Sequence, residues 1–472
     1  MKKINYLGVI LLVFIFGTIR VNALTITEDL TLTEDLNQEV IINDGSTVTI
    51  NLNGHNIVAA KNGVIRAEKN SKVTIKGTGI IRSTNDNAIV VSSGSTVILE
   101  SGTIKSQEFG VLVTNNATFT MNGGTIETVD NCGVGGNGLN DDNYKNYTIN
   151  INGGTINGNI TSAGYVSCGI YHPNKGTVNI NGGIINSSNG AGIVQRAGTL
   201  NITGGTINAT GSLTGKVGDS RIVVSASAVV LDKEANYPEV ATMHTKISKN
   251  AILNGQVKDI QEIGTNISVE LIGGIYNEEP EENQISKGYE VYKIISGENE
   301  NKYTVVKENE IKNIVVDGMV NKTDLSQPDV ILIENAIKDK YSLASFYEIN
   351  YMKVTPNDDV VGIVEEAAEN VKVTLDLPQN MPTVKEGYVR VYHIVRVHNG
   401  EVTIIDDVTD NKNGTISFPT NKFSSYAIAY NDVVKTAVSS PKTSDNIRIY
   451  IIALIGAILI LIISKTCLKK RY

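Results

Sequence analysis

Apolar residues fall into columns along the first two thirds of this chain, repeating every 22 to 24 residues with occasional longer steps. The column that closes each copy reads Ile57, Ile80, Ile104, Ile126, Ile156, Ile185, Ile207 and, after a gap, Ile275. Five residues earlier, or four at the last copy, stand Leu52, Ile75, Leu99, Met121, Ile151, Ile180, Ile202 and Leu271. Seven residues earlier, or six at the last copy, stand Ile50, Val73, Val97, Phe119, Ile149, Val178, Leu200 and Val269. Two apolar columns two residues apart, with Asn, Thr, Lys or Glu between them, predict a short strand with one face in and one face out. A unit this short cannot bury its apolar face alone, so each copy must stack on the next. The 3.6-residue period of helical repeats is absent, and Ile and Val take the place of the Leu ladder that a leucine-rich horseshoe needs. Glycines after each strand, paired from the fourth copy on as in Asn-Gly-Gly-Thr-Ile at 122–126, supply sharp corners between β-branched strands. A coil of parallel strands satisfies the whole pattern.

These residues resemble the right-handed β-helix of the pectate-lyase-like superfamily, in particular bacterial surface proteins with runs such as Gly-Thr-Val-Asn-Ile-Asn-Gly-Gly, here at 176–183. The expected class is therefore all-β: a right-handed parallel β-helix over 24–305, followed by a small antiparallel β-sandwich over 311–431. The coil is expected to end at Gly273-Gly274-Ile275-Tyr276 and to be closed by a strand pair around Gly288–Tyr292 and Tyr303–Val306, which would protect the open edge. Beyond 311 the candidate strands are 314–316, 330–333, 347–354, 371–377, 388–397, 402–405, 415–418 and 426–430. Val389, Val391, His393, Val395 and Val397 alternate with Tyr388, Arg390, Tyr392, Ile394 and Arg396, as in a half-buried strand. The run from Gly414 through Ile428 resembles a β-sandwich module that precedes sorting signals in Gram-positive surface proteins, and this implies a spacing and support role.

The two ends change the picture from a soluble coil to an envelope protein. Met1-Lys2-Lys3, the apolar run Leu7 to Ile19 and Val21-Asn22-Ala23 read as a signal peptide over 1–23. Near the other end, Ile449 to Ile463 is apolar throughout and is followed by Lys465, Lys469, Lys470 and Arg471, so 447–472 is expected to hold a membrane segment and a basic cytoplasmic tail. Its 15 residues reach about 22 Å as a helix, so flanking cations must snorkel to span a bilayer core of about 30 Å. Within the linker 432–446, Ser440-Pro441-Lys442-Thr443-Ser444 resembles the Leu-Pro-x-Thr-Gly sorting signal. That resemblance implies a sortase-type transpeptidase that joins Thr443 to the cell wall. Pro441 and Thr443 match the signal; Ser440 and Ser444 depart from it.

Charge then narrows the partners. The formal net charge is −8; removing the leader's three cations and the tail's net four positive charges leaves −15 on the ectodomain. Such a surface repels polyanions, and no basic run offsets it, so nucleic acid is excluded as the main ligand.

Cys467 lies in the expected tail, whereas Cys132 and Cys168 each precede a Gly-apolar pair at the same place in the repeat. Stacked turns lie about 4.8 Å apart, which permits either a disulfide or a pair of stacked thiols.

The β-helix resemblance raises a polysaccharide lyase or glycoside hydrolase as the alternative to a non-catalytic adhesion or surface-interaction protein. A hydrolase needs two carboxylates at a set separation, and a lyase needs carboxylates for calcium beside a basic residue. Asp141-Asp142 is the nearest pair, with Asp86 as an outlying candidate. The Asn-Thr-Asp, Gly-His-Gly and Arg-Ile-Lys runs of polygalacturonases are absent, and neighbouring strand residues point to opposite faces. No catalytic residue is therefore assigned. His55, His172, His244, His393 and His398 lack metal-ligand spacing on one face, so no metal or cofactor is expected. Tyr165, Tyr171 and His172 form the candidate aromatic and polar patch for a glycan or host-surface ligand. The outward Asn columns are read as hydrogen-bonded stacks ahead of a glycan face, and the insertions at 137–147 and 211–246 as the places to seek a ligand site.

Overall fold

The computed structural model describes residues 23–136, 146–158, 168–188, 190–209, 215–217, 221–223, 227–232, 242–259 and 267–435. The expected leader, sorting motif and membrane segment lie outside them. No helix among the described residues is long and apolar enough to cross a membrane. The chain divides into two units, one of residues 1–314 with 352–362 and one of 315–351 with 363–472.

The first unit is a β-helix-like stack of parallel strands in three rows. One row forms a ten-stranded sheet that begins with Leu24–Ile26 and Val40–Ile42 and ends with Ser227–Leu231 and Gln256–Asp259. The other two rows share a 19-stranded sheet and include Lys72–Lys76, Thr96–Leu99 and Ala117–Met121 in the second row, and Ile80–Ser83, Thr103–Ser106 and Thr125–Thr128 in the third. In the second row, Ile50, Ile75, Leu99, Met121, Ile151, Ile180, Ile202, Ile247 and Leu271 pair in unbroken register. In the third row the register runs Ile57, Ile81, Ile104, Ile126, Ile156, Ile185, Ile207 and Leu253. These side chains are fully buried, each worth roughly 1.5–3 kcal/mol of transfer from water.

The corners explain the glycine pairs. Gly154 has φ +83°, the left-handed region, and a Cβ on Gly153 would stand 2.5 Å from the carbonyl oxygen of Asn122 in the preceding coil. Only glycine lets consecutive corners approach so closely.

Three register expectations are corrected. Ile81, not Ile80, joins the third-row column, since Ile57 and Ile104 both pair with it while Ile80 is only half-buried. At the first copy the second-row column holds Ile50 in place of Leu52, and Val48 in place of Ile50. Its corner is longer, and Leu52 is buried within that corner. The gap before Ile275 is filled by a further coil at Met243–Asn254, in which Thr245 takes the place of an apolar residue and Ile275 pairs with Ile252. The coil ends in an antiparallel pair, Tyr289–Lys293 with Tyr303–Lys307, and the latter also pairs with Ile275–Tyr276.

The second unit has antiparallel sheets. Ser342–Val354, Ser425–Val434, Tyr388–His398 and Glu401–Ile405 lie side by side in one sheet, while Glu366–Asp376, Thr415–Lys422 and Thr409–Asp410 make the other. Tyr347, Ile349, Val373, Leu375, Ile394 and Phe418 belong to one buried cluster. The expected strand at 330–333 is instead part of a helix, Gln327–Ile337. The Ser326 hydroxyl caps it by accepting from the Asp329 amide at 3.3 Å, and a proline stands in its first turn. Val330, Ile333 and Ile337 fall on one helical face and bury against Val395, Val397, Ala427 and Ala429.

Candidate functional site

Of the residues marked from sequence as a sugar patch, the two that are described are not exposed. His172 is completely buried, on a strand whose register partner in the next coil is Gln195, and Tyr171 is only 7% exposed. Tyr171 lies under Arg196, whose guanidinium stands 5.6 Å from the ring centroid and pairs with Asp232 at 2.8 Å. Tyr165 lies outside the described residues, as do Asp141, Asp142, Pro441 and Thr443. Asp86 is described and half-buried.

His172 belongs to a polar plug in the coil interior. Its Nδ1 lies 2.7 Å from the Tyr147 hydroxyl, and the two rings meet edge to face at 5.5 Å. Glycines make the room: a Cβ on Gly136 would stand 2.5 Å from the Tyr147 ring, and one on Gly198 would stand 2.8 Å from His172 Nε2. That nitrogen makes no hydrogen bond of good geometry. Burial pushes the imidazole down from 6.5 to about 3, against a smaller upward pull from the Thr199 and Gly176 backbone. Burial likewise raises the Tyr147 phenol, so the pair is uncharged at neutral pH. Gln195 continues the plug, donating to the carbonyl of Gly198 at 2.9 Å and accepting from the Thr245 hydroxyl.

Cys132 and Cys168 are joined. Their strands pair in register, Val134 with Ile170, which places the two cysteines on adjacent coils with Cα atoms 4.6 Å apart and a disulfide between them. Both are buried, in a small cluster with Tyr171, Ala191, Val194 and Val230.

Outside the coil, asparagines stack in ladders. In the third row Asn186 donates to Asn157 at 2.8 Å, Asn208 to Asn186 at 2.8 Å and Asn254 to Asn208 at 2.6 Å. In the second row Asn179 donates to Asn150 and Asn201 to Asn179, both at 2.9 Å. A third ladder follows the corners, Asn181 to Asn152 to Asn122, each step 2.9 Å, and ends with Asn122 donating to Glu100 at 2.9 Å. Each step uses one amide hydrogen and one lone pair, so every rung keeps a second donor and a second acceptor for a ligand.

The third-row ladder floors a groove of about 810 Å³. Its rungs are Arg82, Lys105, Glu127, Asn157, Asn186 and Asn208, one from each successive coil and all in register. Lys105 and Glu127 form an ion pair at 2.8 Å. Glu127 is the one carboxylate among the described lining residues. Thr84, Gln107, Val129 and Ser188 make the wall beside the floor. The groove does not stand out in the sequence because its floor is the repeat itself and not an insertion. Its signal was present in the identity of the outward column, which changes from Arg and Lys through Glu to Asn.

A second hollow of about 460 Å³ in the C-terminal unit holds Arg390 and Tyr341. Arg390 is already held by Asp432 at 2.8 and 3.0 Å and lies 4.1 Å above the Tyr430 ring, so little of its charge remains for a ligand. No group of three His, Cys, Asp or Glu side chains among the described residues is arranged to hold a metal ion. Compared with family models, with curated proteins and with solved structures, the chain matches none.

Proposed function

We propose that this chain is a non-catalytic, envelope-anchored bacterial surface protein that binds a glycan in the third-row groove. The observation that carries the reading is the groove floor: amide rungs at one-coil intervals, each with a free donor and acceptor, match the alternating donors and acceptors of sugar hydroxyls. Hydrolysis by the usual route needs two carboxylates across the scissile bond, and the described lining offers Glu127 alone, engaged by Lys105. In this reading the coil is a right-handed β-helix of pectate-lyase type, and the antiparallel module spaces it from the envelope. Anchoring proceeds through the signal peptide, the membrane segment and sortase-mediated joining at Thr443, behind Pro441.

The binding claim is tested by a glycan array with the full chain, followed by titration of the best ligand. Asn186→Leu removes a rung from mid-groove together with its two ladder bonds, and affinity should fall about tenfold or more. Release of reducing ends or unsaturated sugars from the array would replace this reading with that of a carbohydrate-active enzyme. Anchoring has its own test: Thr443→Ala should leave the protein in the membrane fraction, and unchanged covalent attachment to the wall would refute the sorting role.

A further inference from the structure

The charge along the groove is not uniform. Lys105 and Glu127 neutralise each other at 2.8 Å, and Asn157, Asn186 and Asn208 are neutral. Arg82, at the other end of the floor, is exposed and has no ion pair among the described residues. The floor is thus electrically silent except at one terminal rung. The rungs are one coil apart, about 4.8 Å, so five steps from Arg82 to Asn208 span about 24 Å. A pyranose in an extended chain has a similar length, so a linear glycan lying along the coil axis meets the same kind of side chain at each successive sugar.

We infer that the groove takes a linear glycan that is uncharged along most of its length and bears a single acidic group, seated on Arg82. The inference rests on the glycan-binding reading above and deepens it by naming the ligand class and its direction in the groove. A guanidinium presents paired donors that match a carboxylate in two parallel hydrogen bonds, which a lysine at this rung would not do. Repulsion from a chain of formal net charge −8 disfavours a polyanion, whereas one acidic group meets one unpaired cation. The Lys105–Glu127 pair adds to the selection, because a second acid two sugars along would face Glu127, and one sugar along it would meet a Lys105 already paired.

The test uses the full chain and two probes by titration calorimetry: lacto-N-neotetraose, which is neutral, and the same tetrasaccharide carrying one terminal sialic acid. The sialylated probe should bind about tenfold more tightly at low salt, and this advantage should shrink as salt is added. Arg82→Ala should bring the ratio of the two affinities to about one, and Arg82→Lys should restore part of it. Because Arg82 is exposed, the melting temperature checks that both variants are folded. Equal affinities in the wild type, or an advantage that survives Arg82→Ala, would overturn the inference while leaving glycan binding in place. If neither probe binds at millimolar concentration, the inference and the groove reading on which it rests both fail.

Discussion

Acidification from pH 7.5 to 4.5 should destabilise the β-helix-like unit by about 3 kcal/mol through His172 alone. In the unfolded chain the ring takes up its proton near 6.5, but in the native coil only near 3, because full burial beside Tyr147 disfavours the charged imidazolium. The unfolded state therefore holds more protons throughout that window. This contribution is intact above pH 6.5 and is lost by about 1.4 kcal/mol per unit as the pH falls towards 3. Tyr147, raised by burial, stays protonated and adds nothing here. In the same unit Asp35 is held below the usual carboxylate range, first by the backbone amide and then by the side chain of Asn56, so it adds its loss at lower pH. His172→Gln provides the comparison, since Gln195 already occupies the same register position one coil later. Denaturation midpoints of the variant should be nearly flat over this range, and a slope equal to that of the wild type would show that another group is responsible.

Removal of the Cys132–Cys168 bridge should cost about 4 kcal/mol in the chain-entropy description, for a sequence separation of 36 residues. Cys132→Ala with Cys168→Ala is the suitable variant, because Ala191 is the register partner of Cys168 in the next coil and shows that alanine fits that position. The loss should be concentrated locally. A solenoid's coils touch only their neighbours, so the amides of Val134 and Ile170 should lose exchange protection before those of Val73 or Val97. Uniform protection along the coil, with an unchanged midpoint, would mean that the bridge constrains nothing the stacking had not already fixed.

The coil was legible in the sequence wherever its corner length was constant. From Leu99 and Ile104 as far as Ile202 and Ile207, strand and corner keep one spacing, so the sequence columns coincide with the pairing; in the last two coils the register shifts, and Tyr276, not Ile275, continues the third-row column. The columns slipped at the first copy because Leu52, an apolar residue buried in a longer corner, imitates the strand position. They slipped again at Ile80 and Ile81, where two isoleucines stand side by side and only the face each presents tells them apart. Thr245 hid a whole coil, since it is buried by bonding to Gln195, and hydropathy cannot report a polar residue satisfied in the interior. The same blindness placed His172 on the surface. A tyrosine and a histidine near glycines read as an exposed turn, whereas here Gly136 and Gly198 are the space into which the rings fit. In the C-terminal unit the run Val330–Ile333 was too short to separate strand from helix by composition, and the Ser326 cap and the proline were the deciding marks.

The near-identity of successive corners bears on how this groove came to have its length. Gly153-Gly154 and Gly182-Gly183 are framed by almost the same residues, and the coil between them meets only the coils above and below. Recombination between two such corners deletes or duplicates a whole coil, and the seam it leaves is already a native corner. The closing strands at one end are untouched by the exchange. Each event would lengthen or shorten the floor by one rung of about 4.8 Å, which makes groove length a trait that copy number can change before any lining residue has to.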